Sequence, residues 1–240
     1  MSLASRRVVR DTTQVIQTNK AFLEEQGIYY IPSEEFKDKG IALLVGKSGT
    51  PYCGGYYFFS IEFPNDYPFS PIKVLSLTQD GLTRFNPNMY VQGKVCLSIL
   101  NTWHDGPQWS GVQSLESVLL AIMSDVLTEN PLENEPAYKN CGKSADALTY
   151  NRLVWHANVK TAIYGMLTNP PLHAIPFQTI LWAEWEKNKE TVLQQLTACL
   201  QMDGIKELSR AFGFGHQYNF KGLLEKLSCK NLKSTDVQSV

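Results

Sequence analysis

The sequence predicts an α+β fold, a four-stranded antiparallel sheet preceded and followed by helices, from three observations. Apolar residues recur at helical spacing near the start, crowd next into four short β-branched or aromatic runs, and then return to helical spacing for most of the remaining chain. Val8/Val9, Thr12, Val15/Ile16 and Phe22/Leu23 predict an amphipathic helix over residues 4–25 that ends before Gly27. Ile28–Ile31, Ile41–Val45, Tyr56–Phe63 and Ile72–Leu77 are separated by turns containing Gly, Pro or Asp and read as four antiparallel strands. Residues 80–112 hold no long periodic segment. They do contain the turn Asn86-Pro87-Asn88, Cys96, Trp103 and Trp109, the make-up of a functional loop held by aromatic anchors.

Leu115, Val118/Leu119, Ile122 and Val126 form the stripe of a central buried helix, with Ser110-Gly111-Val112-Gln113 expected to cap its start. A polar loop, Thr128–Tyr138, follows. Leu153, Ala157, Ile163/Tyr164 and Leu167 then predict a helix that stops at Asn169-Pro170-Pro171, because the residue before a proline is pushed out of the helical region. That double proline divides the chain into a module of residues 1–168 and an extension of residues 169–240. In the extension, Ile180/Leu181, Trp185, Val192/Leu193, Leu196 and Leu200 predict a long helix starting near Pro176. Phe220, Leu223/Leu224 and Leu227 predict a shorter helix after a loop holding Gly213 and Gly215. These stripes carry more apolar surface than a disordered tail, so the extension is expected to fold back on the module, away from Cys96, while the last ten residues are polar and expected to fray.

At 240 residues and 43% hydrophobic, the chain can bury one substantial core and is longer than a catalytic module of ~150 residues. Twenty-two basic against 23 acidic residues give a net charge of −1, which offers no bulk attraction to nucleic acid or an anionic membrane. The N-terminus lacks a signal-peptide apolar core and no uninterrupted 18-residue apolar run occurs, so a soluble protein is expected. Five scattered cysteines without a Cys-x-x-Cys pair suit free thiols in the cytoplasm or nucleus.

Cys96 stands apart from Cys53, Cys141, Cys199 and Cys229 because an Asn-Pro-Asn turn lies eight residues before it. The Asn88 amide can return to the sulfur from that distance, pairing a nucleophile with an oxyanion donor, an arrangement suited to acyl transfer.

Phe85-Asn86-Pro87-Asn88-Met89-Tyr90-Val91-Gln92-Gly93-Lys94-Val95-Cys96-Leu97-Ser98-Ile99-Leu100 resembles the signature of the ubiquitin-conjugating enzyme family: a His-Pro-Asn turn, a Tyr, a Gly-Lys pair, the catalytic Cys, then Leu-x-Ile-Leu. Phe63-Pro64-Asn65-Asp66-Tyr67-Pro68-Phe69-Ser70-Pro71 and Pro51-Tyr52-Cys53-Gly54-Gly55 resemble the family's inter-strand loop and hairpin. Asn86 in place of the turn His, the Cys-Leu-Ser-Ile-Leu run, and Thr128-Glu129-Asn130-Pro131 leading to Asn134-Glu135-Pro136 are similar to the divergent branch called ubiquitin-conjugating enzyme Z; Gly111, in place of a Pro, departs from the common pattern.

The resemblance covers residues 1–168 and implies the ubiquitin-conjugating fold, without metal or organic cofactor. It implies that Cys96 takes ubiquitin, or another ubiquitin-like modifier, from an activating enzyme as a thioester and passes it to lysines of protein substrates, usually with a ubiquitin ligase. Asn88 then either stabilises the oxyanion of the lysine step or braces the loop, and Asn86 supplies the bracing bond usually given by the His. Glu133, Asn134 and Glu135 are the candidates for orienting the incoming lysine. Arg6, Arg7 and Arg10, Pro68 and Phe69, and Trp109 and Ser110 correspond to the surface that meets activating enzyme and ligases. Two other classes compete: a silent ubiquitin-binding scaffold, which would be expected to lack the thiol, and a cysteine hydrolase pairing Cys96 with His104, which lacks a third orienting group.

Overall fold

The structure, a computed structural model, describes residues 2–229 and Leu232. Ser2 Oγ accepts the Ser5 amide at 3.0 Å and opens α1 (Leu3–Thr13). The winding widens to a π-helical turn over Gln14–Thr18, breaks at Asn19, and resumes as α2 (Lys20–Glu25). The single helix predicted over 4–25 is therefore three consecutive windings. The break gives two side chains a common target, since the Gln14 and Asn19 amides donate to the Glu116 carboxylate at 2.8–2.9 Å.

The four predicted strands form β1 (Ile28–Pro32), β2 (Lys39–Val45), β3 (Tyr56–Glu62) and β4 (Lys73–Ser76), antiparallel in the order β1-β2-β3-β4. Tyr56, Tyr57, Phe58 and Phe59 are all fully buried, because both faces of β3 are covered. On one face the Tyr57 hydroxyl donates to Asn158 Oδ1 at 2.7 Å, and its ring meets Tyr52 and Phe85 edge-on. On the other, the Tyr56 hydroxyl donates to the Leu181 carbonyl at 2.8 Å and the Phe58 ring packs 5.3 Å from Phe177.

Helix α3 (Leu115–Ala121) continues through a π-helical turn, Ile122–Val126, and buries Leu115, Val118, Leu119, Ile122 and Val126. Its cap corrects the expectation. Ser114, in extended conformation, and Ser117 form the capping box, whereas Ser110–Gln113 close a turn just before it. The loop Thr128–Tyr138 contains two short 3-10 turns, Pro131–Asn134 and Pro136–Tyr138, anchored by buried Pro131 and Leu132. Next, α4 (Ala145–Ala157) starts at Ser144, passes through a wide turn at Asn158–Gly165, and ends as α5 (Met166–Thr168) ahead of the double proline.

Beyond it come a 3-10 segment, Leu172–Phe177, the long helix α6 (Gln178–Ala198), and α7 (Phe220–Leu227). Between the last two, where the sequence predicts a loop holding Gly213 and Gly215, lies an antiparallel hairpin, β5 (Lys206–Leu208) and β6 (Gly215–Gln217). Each strand has three residues, too few for an alternating run to show in the sequence. The expectation for the last ten residues falls, Leu232 apart, outside the described residues.

Candidate active site

The turn before Cys96 is built around one amide. Asn86 is fully buried, and its Nδ2 donates to the Val126 carbonyl at 2.8 Å and to the Tyr52 hydroxyl at 3.3 Å. Its Oδ1 accepts the Asn88 backbone N–H at 2.7 Å and Asn134 Nδ2 at 3.2 Å, so both donors and both acceptor sites are used. Burial pushes the Tyr52 phenol well above its ordinary pKa, and the neutral hydroxyl donates to the Phe85 carbonyl at 2.7 Å. After the turn the chain doubles back. Gly93, at φ 95, permits the Tyr90–Gly93 turn, the Tyr90 amide bonds the Lys94 carbonyl at 2.9 Å, and Met89 bridges to Val95. The eight-residue spacing is thus a closed return that places the Cys96 N–H 2.8 Å from the Asn88 carbonyl.

Cys96 is 2% exposed, and its sulfur has no side-chain hydrogen-bond partner among the described residues. Thr102 locks the backbone on either side of it: Oγ1 accepts the Leu97 amide at 2.9 Å and donates to the Val95 carbonyl at 2.9 Å. A cleft of about 340 Å³ is lined by Asn88, Leu97, Ser98, Trp103, Asp105, Gly106, Asp125 and Asn134. Gly106, at φ 108, lies so close to Ser98 that a Cβ would sit 2.9 Å from its hydroxyl oxygen. The Trp103–Gly106 loop therefore borders the residues that follow the thiol.

Of the residues expected to orient lysine, Asn134 lies in the cleft, with Nδ2 also donating to the Asp125 carbonyl at 2.6 Å. Glu133 instead accepts the Gly142 amide at 2.7 Å, and Glu135 does not line the cleft. Two exposed carboxylates that sequence reasoning missed, Asp105 and Asp125, do line it. Asp125 belongs to the π-helical continuation of α3, where a regular helical stripe gives no cue to the cleft.

The expected docking residues divide into buried braces and exposed groups. Arg7 donates through Nε to both Asp11 carboxylate oxygens at 2.9 Å, and through its two terminal nitrogens to the Gly111 and Gln113 carbonyls at 2.9 and 2.6 Å. Its side chain is 12% exposed and Asp11 is fully buried, so Arg7 ties α1 to the loop before α3 and does not present a free charge. Asp11 also accepts from Tyr67 and Arg10. Trp109 is buried and donates to the Pro68 carbonyl at 2.8 Å, with Pro68 half-buried. Arg6, Arg10 and Ser110 are exposed, as are Phe69 at 75% and Val112 at 88%, the last an apolar knob not singled out in the sequence.

His104 is exposed and its ring lies against Trp103, 5.2 Å between centroids. Among the described residues no group of three His, Cys, Asp or Glu side chains could hold a metal ion, and no helix is long and apolar enough to cross a membrane.

A helix, a four-stranded antiparallel meander and a Cys beside the turn Asn together define an architecture that comparison with known proteins identifies. The family profile "Ubiquitin-conjugating enzyme" matches residues 10–157, and the chain belongs to that family. Within it, the chain is 44% identical over 142 residues to "Ubiquitin-conjugating enzyme E2 Z" of Xenopus tropicalis, covering 59% of this chain and 45% of the relative. It is 40% identical over 163 residues to the protein of that name from Danio rerio, covering 68% and 48%. These relatives place it in the E2 Z branch. A third, "Probable ubiquitin-conjugating enzyme protein 17" of Caenorhabditis elegans, is 33% identical over 217 residues, covering 87% of this chain and 28% of the relative. The chain spans about half the length of the E2 Z relatives.

Proposed function

We propose that this chain is a ubiquitin-conjugating transferase that carries the modifier as a thioester on Cys96 and delivers it to lysine. The Cys96 thiolate attacks the glycyl thioester held by an activating enzyme, whose thiol departs. A deprotonated lysine amine then attacks the new thioester, and the tetrahedral intermediate collapses with loss of the Cys96 thiolate and formation of an isopeptide bond. The observation that carries this reading is the Cys96–Asn88 backbone bond, which sets the thiol-bearing residue beside the one turn amide that lines the cleft.

In this reading Asn88 stabilises the oxyanion, Asn86 braces the turn, and Asp125 with Asn134 receives the lysine amine. Ligases and the activating enzyme meet the exposed group Arg6, Arg10, Phe69, Ser110 and Val112. Residues 1–168 form the catalytic unit and 169–240 an addition to it, acting in the cytoplasm or nucleus without a cofactor.

Incubation with activating enzyme, ubiquitin and ATP, followed by gels with and without reductant, tests the reading. The parent should give a reductant-sensitive adduct, Cys96→Ser a reductant-resistant one, and Cys96→Ala none. A reductant-sensitive adduct on Cys96→Ala would overturn the assignment. A second ubiquitin-like modifier offered in the same assay distinguishes single from dual use.

A further inference from the structure

The strand of chain entering the Asn86-Pro87-Asn88 turn is gripped residue by residue from outside the cleft. Thr83 Oγ1 lies 2.9 Å from His216 Nε2 on β6. The Tyr150 hydroxyl of α4 donates to the Arg84 carbonyl at 2.5 Å, and the Tyr52 hydroxyl to the Phe85 carbonyl at 2.7 Å. Arg84 itself reaches three ways. Its guanidinium carbon is 3.7 Å from the Tyr90 ring centroid and 4.9 Å from that of Phe212, while one terminal nitrogen donates to the Pro87 carbonyl at 2.6 Å.

Pro87 and Tyr90 flank Asn88 on the outgoing arm of the return, so one planar side chain holds that arm on both sides of Asn88. Phe212 belongs to the segment joining β5 to β6, and Tyr150 supports it with a ring 5.8 Å away. An arginine held over two aromatic rings keeps its plane and its donor direction, and a lysine cannot reproduce either.

We propose that Phe212, acting through Arg84, is a positioning residue for Asn88, so that the C-terminal hairpin helps to set the rate of acyl transfer to lysine. The inference rests on the roles given above to Cys96 and Asn88. Removing the Phe212 ring takes away one of the two aromatic partners of the guanidinium and frees Arg84 to leave the Pro87 carbonyl. The turn then samples positions in which the Asn88 amide no longer meets the oxyanion. The Val95 carbonyl and Leu97 amide on either side of Cys96 stay held by Thr102, so charging proceeds.

The test loads the full chain with ubiquitin and follows single-turnover discharge to free lysine across lysine concentration, beside amide hydrogen exchange. Phe212→Ala should lower the maximal discharge rate on the order of tenfold, the scale on which small misplacements act, with the half-saturating lysine concentration and the charging rate unchanged. Exchange at Asn88, Met89 and Cys96 should accelerate, while Leu43 and Phe58 in the sheet keep parental protection. Phe212→Tyr should restore both readouts. Arg84→Lys, which leaves the hairpin packing intact, should reproduce the slow discharge and covers the case in which Phe212→Ala folds poorly. Parental discharge by both Phe212→Ala and Arg84→Lys, with Asn88→Ala slow beside them, overturns this inference alone. If the parent forms no thioester, or Asn88→Ala discharges normally, the reading of the site has failed and the inference falls with it.

Discussion

The Cys96 amide donates to the Asn88 carbonyl at 2.8 Å, and this bond closes the chain return that leads from the Asn86-Pro87-Asn88 turn back to the thiol-bearing residue. The backbone bond therefore sets residue 96 directly beside residue 88. The Asn88 side chain makes no hydrogen bond of its own among the described residues and lines the cleft, which leaves it available to a ligand.

Asn88→Ala should consequently separate the two half-reactions. Charging by the activating enzyme should persist, while discharge to lysine slows ~100–1,000-fold, the cost of losing one oxyanion donor in enzymes where it has been isolated. Single-turnover discharge of the preloaded variant measures this, and a parental rate would remove Asn88 from the mechanism.

Asn86→Ala should act on stability first. It leaves the Val126 carbonyl and the Asn88 N–H buried without the bonds they now make. At about 1–3 kcal/mol for each of these two buried groups left unsatisfied, a loss of about 2–6 kcal/mol is expected in urea unfolding. An unchanged midpoint would mean that Asn86 is not the brace of the turn.

The sequence carried the sheet and the active-site return more fully than it carried the cleft. Strand positions followed from β-branched and aromatic runs, and the Cys96 motif is local in sequence, so both were legible. The run Tyr56–Phe59 also held a message not used: four successive large residues without alternation belong to a strand covered on both faces. What could not be read depends on long-range geometry. Arg7 looks like a surface charge until Asp11, Gly111 and Gln113 are seen around it, and Asp125 looks like a helix surface residue until Asn134 and Asn88 join it at one cleft. The β5–β6 hairpin escaped because its strands are three residues each.

Asp125→Asn tests which carboxylate serves the lysine step. It removes a negative charge from the cleft while preserving the side-chain shape, so discharge should slow and its pH profile should move toward higher pH, where more lysine is already deprotonated. Glu133→Gln, whose carboxylate is turned to the Gly142 amide, should leave that profile in place. Discharge rates from pH 7 to 10 for both variants decide between them, and a shift in Glu133→Gln alone would reverse the assignment.

His156 predicts a loss of stability in acid. It is nearly buried, and burial, with the neighbouring His216 and Lys160 charges, pushes its pKa down to about 4 from 6.5. Between those values the unfolded chain binds the proton and the folded chain does not, so stability falls as pH drops from 6.5 toward 4. The slope approaches about 1.4 kcal/mol per pH unit and the total about 3 kcal/mol. His156→Gln, which can still accept the Asn219 amide, should flatten that acid limb in denaturant titrations, and an identical limb in both proteins would contradict the assignment.

Arg7 and its neighbours on α1 should give opposite phenotypes. Arg7→Ala removes the main partner of buried Asp11 and should cost about 3 kcal/mol, at the lower end for breaking a buried pair because Arg10 and Tyr67 still reach that carboxylate. It should also free the Gly111–Gln113 loop, whose carbonyls Arg7 holds. Arg6→Glu with Arg10→Gln should leave the melting temperature close to parental, since both side chains are exposed and Gln adds no second carboxylate beside Asp11. That pair should slow charging through association and weaken its salt dependence, while discharge of preloaded protein stays constant, because exposed charges steer encounter and are screened by ions. Charging rates over a salt series, set beside melting curves, separate a steering face from a structural one. Equal charging by the double variant and the parent at every salt concentration would reduce Arg6 and Arg10 to solvated surface.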